Sequence, residues 1–274
     1  MPVVSILSAS YCHGDEIARK VSEVLSYKYI GEQLLAETAQ KQRLSKEKFL
    51  TGILESSTGF LKGASERIRC TAHFRAALAG LLNQDKIVYH GIATLLVPKE
   101  VSHVLRVCLV GDIEFRLSEA VRGDQISDRE ARSRIKRADT GLFNWAEYLH
   151  SRSPWDETLY DIVIPVHTLS VEEAVGLIAE NARKEALVAT PQSQKAVNDF
   201  ITQFARNNTH GKPVVIAMNV FDPTPKAIAA GAQLRKDYAQ AGVPAYTFQA
   251  NAARAMARFI KYHEFQARSG DDAR

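Results

Sequence analysis

Hydrophobic positions along the chain follow two periods, and the switches between them predict its elements. Val3-Val4-Ser5-Ile6-Leu7 is a short apolar run that reads as a strand, and Ile17, Val21, Val24 and Leu25 then recur at helical spacing, predicting an amphipathic helix from about Asp15 to Leu25. Past a short Tyr27–Gly31 segment, a helical stretch covers Glu32 to Gln40. Residues 41–70 have mixed periodicity and read as helix and loop, and helical spacing returns from Ala72 to Leu82. Asp85–Gly91 predicts a buried strand closed by a glycine. Val104–Val110 is nearly all apolar, as strands of a parallel sheet covered on both faces are.

A helix follows over 112–122, and Ser127 with Glu130 forms the pattern of a capping box that opens another, through Arg137. Asp161–Pro165 is a further short strand, and Ser170-Val171-Glu172-Glu173 opens a capped helix to about Glu185. Strands alternating with helices predict an α/β fold, a mostly parallel sheet with helices on both faces. A boundary falls at 188–193. Beyond it the pattern predicts a helix (194–206), a strand (213–219), a long helix (224–241), a short strand (243–248), a last helix (250–262) and a frayed tail. Two strands and three helices make a thin core, so residues 194–264 are expected to pack on the first domain or to pair with a second copy or another protein.

Composition narrows the function classes. With 274 residues, 46% hydrophobic and 24% charged, the chain has material for one large domain or two unequal ones. The net charge of +4 is spread among acids, which argues against a nucleic-acid partner. Cys12, Cys70 and Cys108 have neither metal nor redox spacing and fit a reducing compartment. No secretory signal pattern is visible, and no apolar run approaches the ~18 residues that cross a bilayer, so a soluble cytoplasmic protein without membrane contact is expected.

The candidate chemistry begins where the first strand meets the first helix. In nucleotide-binding α/β proteins a glycine-rich loop sits there, its backbone N–H groups converging on phosphate and a lysine neutralising charge. Here the turn reads Ser10-Tyr11-Cys12-His13-Gly14-Asp15-Glu16, with one glycine and two acids. One reading is a helix start whose acids suit the helix dipole and which holds no ligand. The other is a phosphate site to which a protonated His13 donates.

The order of the pieces resembles the cytidylate kinase-like family of the P-loop nucleoside monophosphate kinase group, over Val3 to about Ala186. The matching residues are Ser8 to Lys20, His90-Gly91-Ile92-Ala93, Ser127 to Asp139, and Trp155 to Val175 with its Tyr160-Asp161 pair. The resemblance implies a kinase-like domain over 1–187 with a lid at about 123–160; the pattern beyond it predicts a linker at 188–193, a small α/β unit at 194–264 and a flexible tail at 265–274. The resemblance also implies ATP with Mg2+, an acceptor site at His90 and Gly91, and a phosphate-clamping lid at Arg134, Lys136, Arg137 and Asp139. The chain departs from the pattern at three places. Asp15 stands at the lysine position, Gly91 near an acceptor arginine position, and Leu142 at the lid arginine position.

Lys212–Tyr262, with Lys212-Pro213-Val214-Val215 and Ala241-Gly242-Val243-Pro244, resembles the end of the CoA-binding ligase module of acyl-CoA synthetases, which implies CoA as a ligand. The ligase's phosphohistidine turn is absent, so a CoA-ligase subunit ranks last. Two readings lead: a degenerate kinase-like protein that senses nucleotide or CoA or scaffolds a partner, and an active kinase passing the γ-phosphoryl of ATP to a cytidylate-like acceptor.

Overall fold

A computed structural model of the chain describes residues 2–55, 60–206, 215–217, 224–240 and 243–271. It divides into two compact units, Met1–Asn198 and Asp199–Arg274.

The first unit is built on a five-stranded parallel sheet: β1 (Val3–Ser8), β2 (Lys28–Ile30), β3 (Ile87–His90), β4 (Val104–Val110) and β5 (Ile162–Pro165), in spatial order β2-β3-β1-β4-β5. The expected parallel sheet with helices packed around it is what the chain forms. β1 lies at the centre because both its faces are covered: Val3, Val4 and Ile6 are fully buried, and β4 beside it is equally apolar. After β1 the chain goes to the far edge and returns through β3, then crosses to β4. The carboxyl end of β1 is therefore the point where strand order reverses, the usual place for a ligand in an open α/β sheet.

Helix α1 (Gly14–Leu25) packs on β3 and on α7 (Val171–Ala182) through Ile17, Ala18 and Val21. Val24, expected on the same face, is half exposed; Ser22 lies in the buried row instead. Between β2 and β3 come α2 (Gln33–Lys41), α3 (Lys46–Leu54) and α4 (Phe60–Leu82), so the mixed-period stretch is largely helical. Phe49 and Phe74 meet edge to face across α3 and α4, with ring centroids 5.8 Å apart.

α5 (Ile113–Asp124) and α6 (Asp128–His150) follow β4, and α6 runs well beyond the predicted Arg137. Its expected capping box is half made: Ser127 Oγ accepts from the Glu130 N–H, while the Glu130 carboxylate turns to Arg134. The box at Ser170 and Glu173 closes in both directions. The Tyr160-Asp161 pair seats the edge strand: Asp161 accepts from the Arg106 backbone N–H and guanidinium, and the Tyr160 hydroxyl donates to the Pro154 carbonyl.

Helix α8 (Pro191–Arg206) starts inside the stretch read as a linker, where Ser193 is buried and its hydroxyl lies 2.6 Å from His103 Nδ1. The second unit contains the parallel pair β6 (Ile216–Ala217) and β7 (Ala245–Tyr246), with α9 (Pro225–Gln240) and α10 (Gln249–Asp271). α10 extends past its predicted end near Tyr262. Residues 219–223, at the end of the expected strand 213–219 and ahead of the expected long helix, lie outside the described residues, as does Lys212-Pro213-Val214. Among the described residues no helix is long and apolar enough to cross a membrane.

Candidate functional site

The turn from β1 into α1 occupies the topological switch point. It is tightly built. Tyr11 and His13, on either side of Cys12, both hold left-handed backbone conformations, with φ of 62° and 53°. Such conformations are unfavourable for non-glycine residues and persist only where the surroundings enforce them. Gly14 opens α1 where nothing larger fits: a Cβ there would lie 2.1 Å from Ser8 Oγ and 2.5 Å from His90 Nε2. Those two atoms are themselves 2.9 Å apart, hydrogen-bonded across the ends of β1 and β3.

Gly14→Ala is therefore expected to cost about 2 kcal/mol through overpacking, measured by urea unfolding. In a Ser8→Gly background, where two of the three nearest atoms are gone, most of that cost should vanish. An equal cost in both backgrounds would locate the strain elsewhere.

The anchor of the turn is a residue the sequence reading missed. Arg116, on α5 and only 6% exposed, donates from Nε to the Ser10 carbonyl (2.9 Å) and from Nη2 to Ser10 Oγ (2.7 Å). Its other face makes a bidentate pair with Asp139 of α6, at 2.9 and 2.6 Å. A signal existed: Arg116 shares a buried row with Leu117 and Ala120, an odd place for a guanidinium without a fixed partner. Beside it the Tyr11 hydroxyl donates to Asp124, which also accepts from Arg134 (2.9 Å). Two polar bridges thus tie the turn to the helix expected to act as a lid.

Charge at the turn is negative and internally matched. Asp15 accepts from Arg19 Nε at 2.6 Å and from the Tyr29 hydroxyl. Partial burial works against its ionisation, but these hydrogen bonds outweigh it and hold the carboxyl below the usual carboxylate range. Glu16 pairs with Lys20, which also reaches Glu172 on α7. His13 stands 3.4 Å from Glu119 and 3.7 Å from Glu16, edge-on to Phe115. The Cys12 thiol is pushed up to about 11 by burial and is not a nucleophile at neutral pH.

At the expected acceptor position, His90 faces Ser8, and Gly91 has a φ of 151°, where a Cβ would also strike the Tyr89 hydroxyl. Burial pushes His90 below the ordinary imidazole value, against the pull of Asp15 and Glu32. The unfolded chain therefore takes up a proton that folded His90 resists. This contribution to stability is whole above pH about 6.5 and is lost as pH falls toward the depressed folded value. Unfolding of the wild type between pH 7 and 5.5 is expected to lose stability more steeply than that of His90→Gln; parallel pH profiles would exclude His90 as the titrating group.

The lid residues divide between two faces of α6. Asp139 turns to Arg116 and the β1–α1 turn. Lys136 and Arg137, with Arg134, line a cleft of about 740 Å³ between α6 and α3, together with Leu50, Leu54 and Gly141. Arg134 is neutralised by Asp124 and Glu130. The side chains of Lys136 and Arg137 make no ion pair among the described residues. Leu142, at the position of an expected arginine, is buried and serves the core. Among the described residues no group of three or more His, Cys, Asp or Glu side chains gathers for a metal. The acids of the turn, engaged with Arg19, Tyr29 and Lys20, do not suit a Mg2+ ion.

No curated protein matches the chain. Among solved structures, an uncharacterized protein from Eubacterium ventriosum is 15% identical with a TM-score of 0.49, the match covering 68% of this chain and all of that one. Shikimate kinase from Bacteroides thetaiotaomicron is 12% identical with a TM-score of 0.43, covering 67% and 99%. Dephospho-CoA kinase from Campylobacter jejuni is 13% identical with a TM-score of 0.35, covering 66% and 97%. The profile of the cytidylate kinase-like family matches residues 3–168, which takes in the whole sheet, the β1–α1 turn and the full length of α6. By that match over more than half its length, the chain belongs to the cytidylate kinase-like family.

Proposed function

We propose that the chain is a kinase-fold protein with weak or no phosphoryl transfer, serving to sense a nucleotide or CoA-type ligand or to scaffold a partner. One observation carries the reading: where a phosphate loop presents a lysine, Asp15 presents a carboxylate kept ionised by Arg19 and Tyr29. A negative charge at the start of α1 opposes a triphosphate that a lysine would hold. The matched pairs at Arg116, Arg134 and Lys20 support it too, since these cations are already neutralised. The C-terminal unit is the proposed place for a CoA-type ligand, a second copy or another protein.

The active-kinase reading has one observation in its favour: Lys136 and Arg137 have no ion-pair partner among the described residues and could meet a phosphoryl group. A coupled assay with Mg-ATP and CMP or dCMP separates the two. Turnover below about 0.01 s⁻¹ is expected, against the 1–100 s⁻¹ of working kinases; a rate in that working range would establish the kinase. The double variant Cys12→Gly/Asp15→Lys is expected to bind ATP at least tenfold more tightly than the wild type, read by calorimetry. No gain would show that the turn is not a phosphate loop in origin.

A further inference from the structure

The second unit carries a cleft that the kinase fold does not account for. Tyr246 ends β7, and α10 follows from Gln249. Asn251, Arg254, Ala255, Arg258, Phe259 and Tyr262 fall at helical spacing on one face of α10 and, with Tyr246, line a cleft of about 670 Å³. Among the described residues its lining holds two guanidinium groups and no carboxylate. Arg254 donates to Asn251 Oδ1 at 2.7 Å and to the Ala250 carbonyl at 3.4 Å, and among the described residues neither Arg254 nor Arg258 makes an ion pair. The cleft therefore presents positive potential beside three aromatic rings, at the carboxyl end of a parallel strand.

The geometry points to a binding site for a mononucleotide in the C-terminal unit, with its base stacked on the rings of Tyr246, Phe259 and Tyr262 and its phosphates held by Arg254 and Arg258. An aromatic face accepts any base by stacking, and arginine suits phosphate because its fork of N–H donors meets two oxygens at once. The volume lies within the range of small-ligand sites. Ala255 between the arginines keeps the floor of the cleft low enough for a ring to approach. The site is independent of the β1–α1 turn, so it stands whether or not that turn transfers phosphoryl groups.

The test uses the full chain. Photolabelling with 8-azido-ADP, followed by peptide mapping, is expected to place the label within residues 243–262. Calorimetry with ADP is expected to show Arg254→Ala and Arg258→Ala each weakening the site about tenfold, the loss of one charge-assisted contact. Arg258→Lys should recover part of that loss, because the charge returns without the fork. Both arginines are exposed, and an unchanged thermal midpoint without ligand verifies that the variants fold.

Label confined to residues 2–198 would overturn the proposal and assign nucleotide binding to the first unit. So would ADP binding indifferent to both arginine substitutions, or no binding of ADP at all. Binding of oligo(dT) that strengthens with its length, without ADP binding, would also overturn it and mark the face as a single-strand nucleic-acid surface. The kinase-domain reading is judged separately, by turnover and by the Cys12→Gly/Asp15→Lys variant.

Discussion

Trp145→Ala is expected to lower the free energy of unfolding by about 4 kcal/mol, the largest single loss in the first unit. Trp145 lies in the C-terminal third of α6 with no exposed surface, and its indole N–H donates to the Ile92 carbonyl. It is stacked 6.0 Å from Tyr148, whose ring also takes the Arg67 guanidinium at 4.2 Å. Removing the indole empties the largest buried volume on α6 and leaves the Ile92 carbonyl without its donor. Trp145→Phe keeps much of the packing and should lose roughly half as much. Urea unfolding followed by far-UV circular dichroism reads both variants, and a loss under about 1 kcal/mol for the alanine would mean that α6 is not part of the core. Because α6 also carries Asp139 and Arg134, the same variant should raise hydrogen exchange in the β1–α1 turn.

Arg116→Met is the second large effect, expected near 3 kcal/mol. Breaking a buried ion pair from one side leaves the partner charge without compensation. Here Arg116 is almost fully buried while Asp139 keeps about a third of its side chain exposed, at 32%. Water can reach Asp139, which places the cost at the lower end of the range for such pairs. The Ser10 carbonyl and hydroxyl lose their donors at the same time. Arg116→Met/Asp139→Leu should recover most of the loss, since the orphaned carboxylate is gone. If the double variant is as unstable as the single one, the contacts to Ser10 rather than the ion pair hold the turn.

How much could be read from the sequence depended on how local its cause was. β1 and β4 were legible because strands covered on both faces are apolar throughout, and Ser170 was legible because its cap needs only the next three residues. β2, three residues at the sheet edge, offers too short a pattern to count. Glu130 has the spacing of a capping partner, but Arg134 one turn later competes for it and wins. The candidate turn was visible from its place after β1 and its departures from a phosphate loop from residue identity alone. Arg116 showed only through its place beside Leu117 and Ala120, and its role did not, because its partners Ser10 and Asp139 are 106 and 23 residues away in sequence. The division of the lid residues between two faces also needs the position of α3, which local periodicity does not supply.

The central position of β1 also bears on how the chain is made. Its hydrogen-bonding partners are Ile87–His90 on one side and Val104–Leu109 on the other. During synthesis, the strand that becomes the middle of the sheet leaves the ribosome with neither neighbour yet in existence. At about 5–20 residues per second, the stretch from Ser8 to Leu109 takes roughly 5–20 s to appear. Until His90 is made, a run of six residues, mostly apolar and rich in β-branched side chains, has no neighbour on either side, and until Leu109 is made one of its edges stays open, while α1 to α4 can form by local contacts alone. A nascent chain stalled before Val104 should therefore hold chaperones at its first strand, and one released after Pro165 should not.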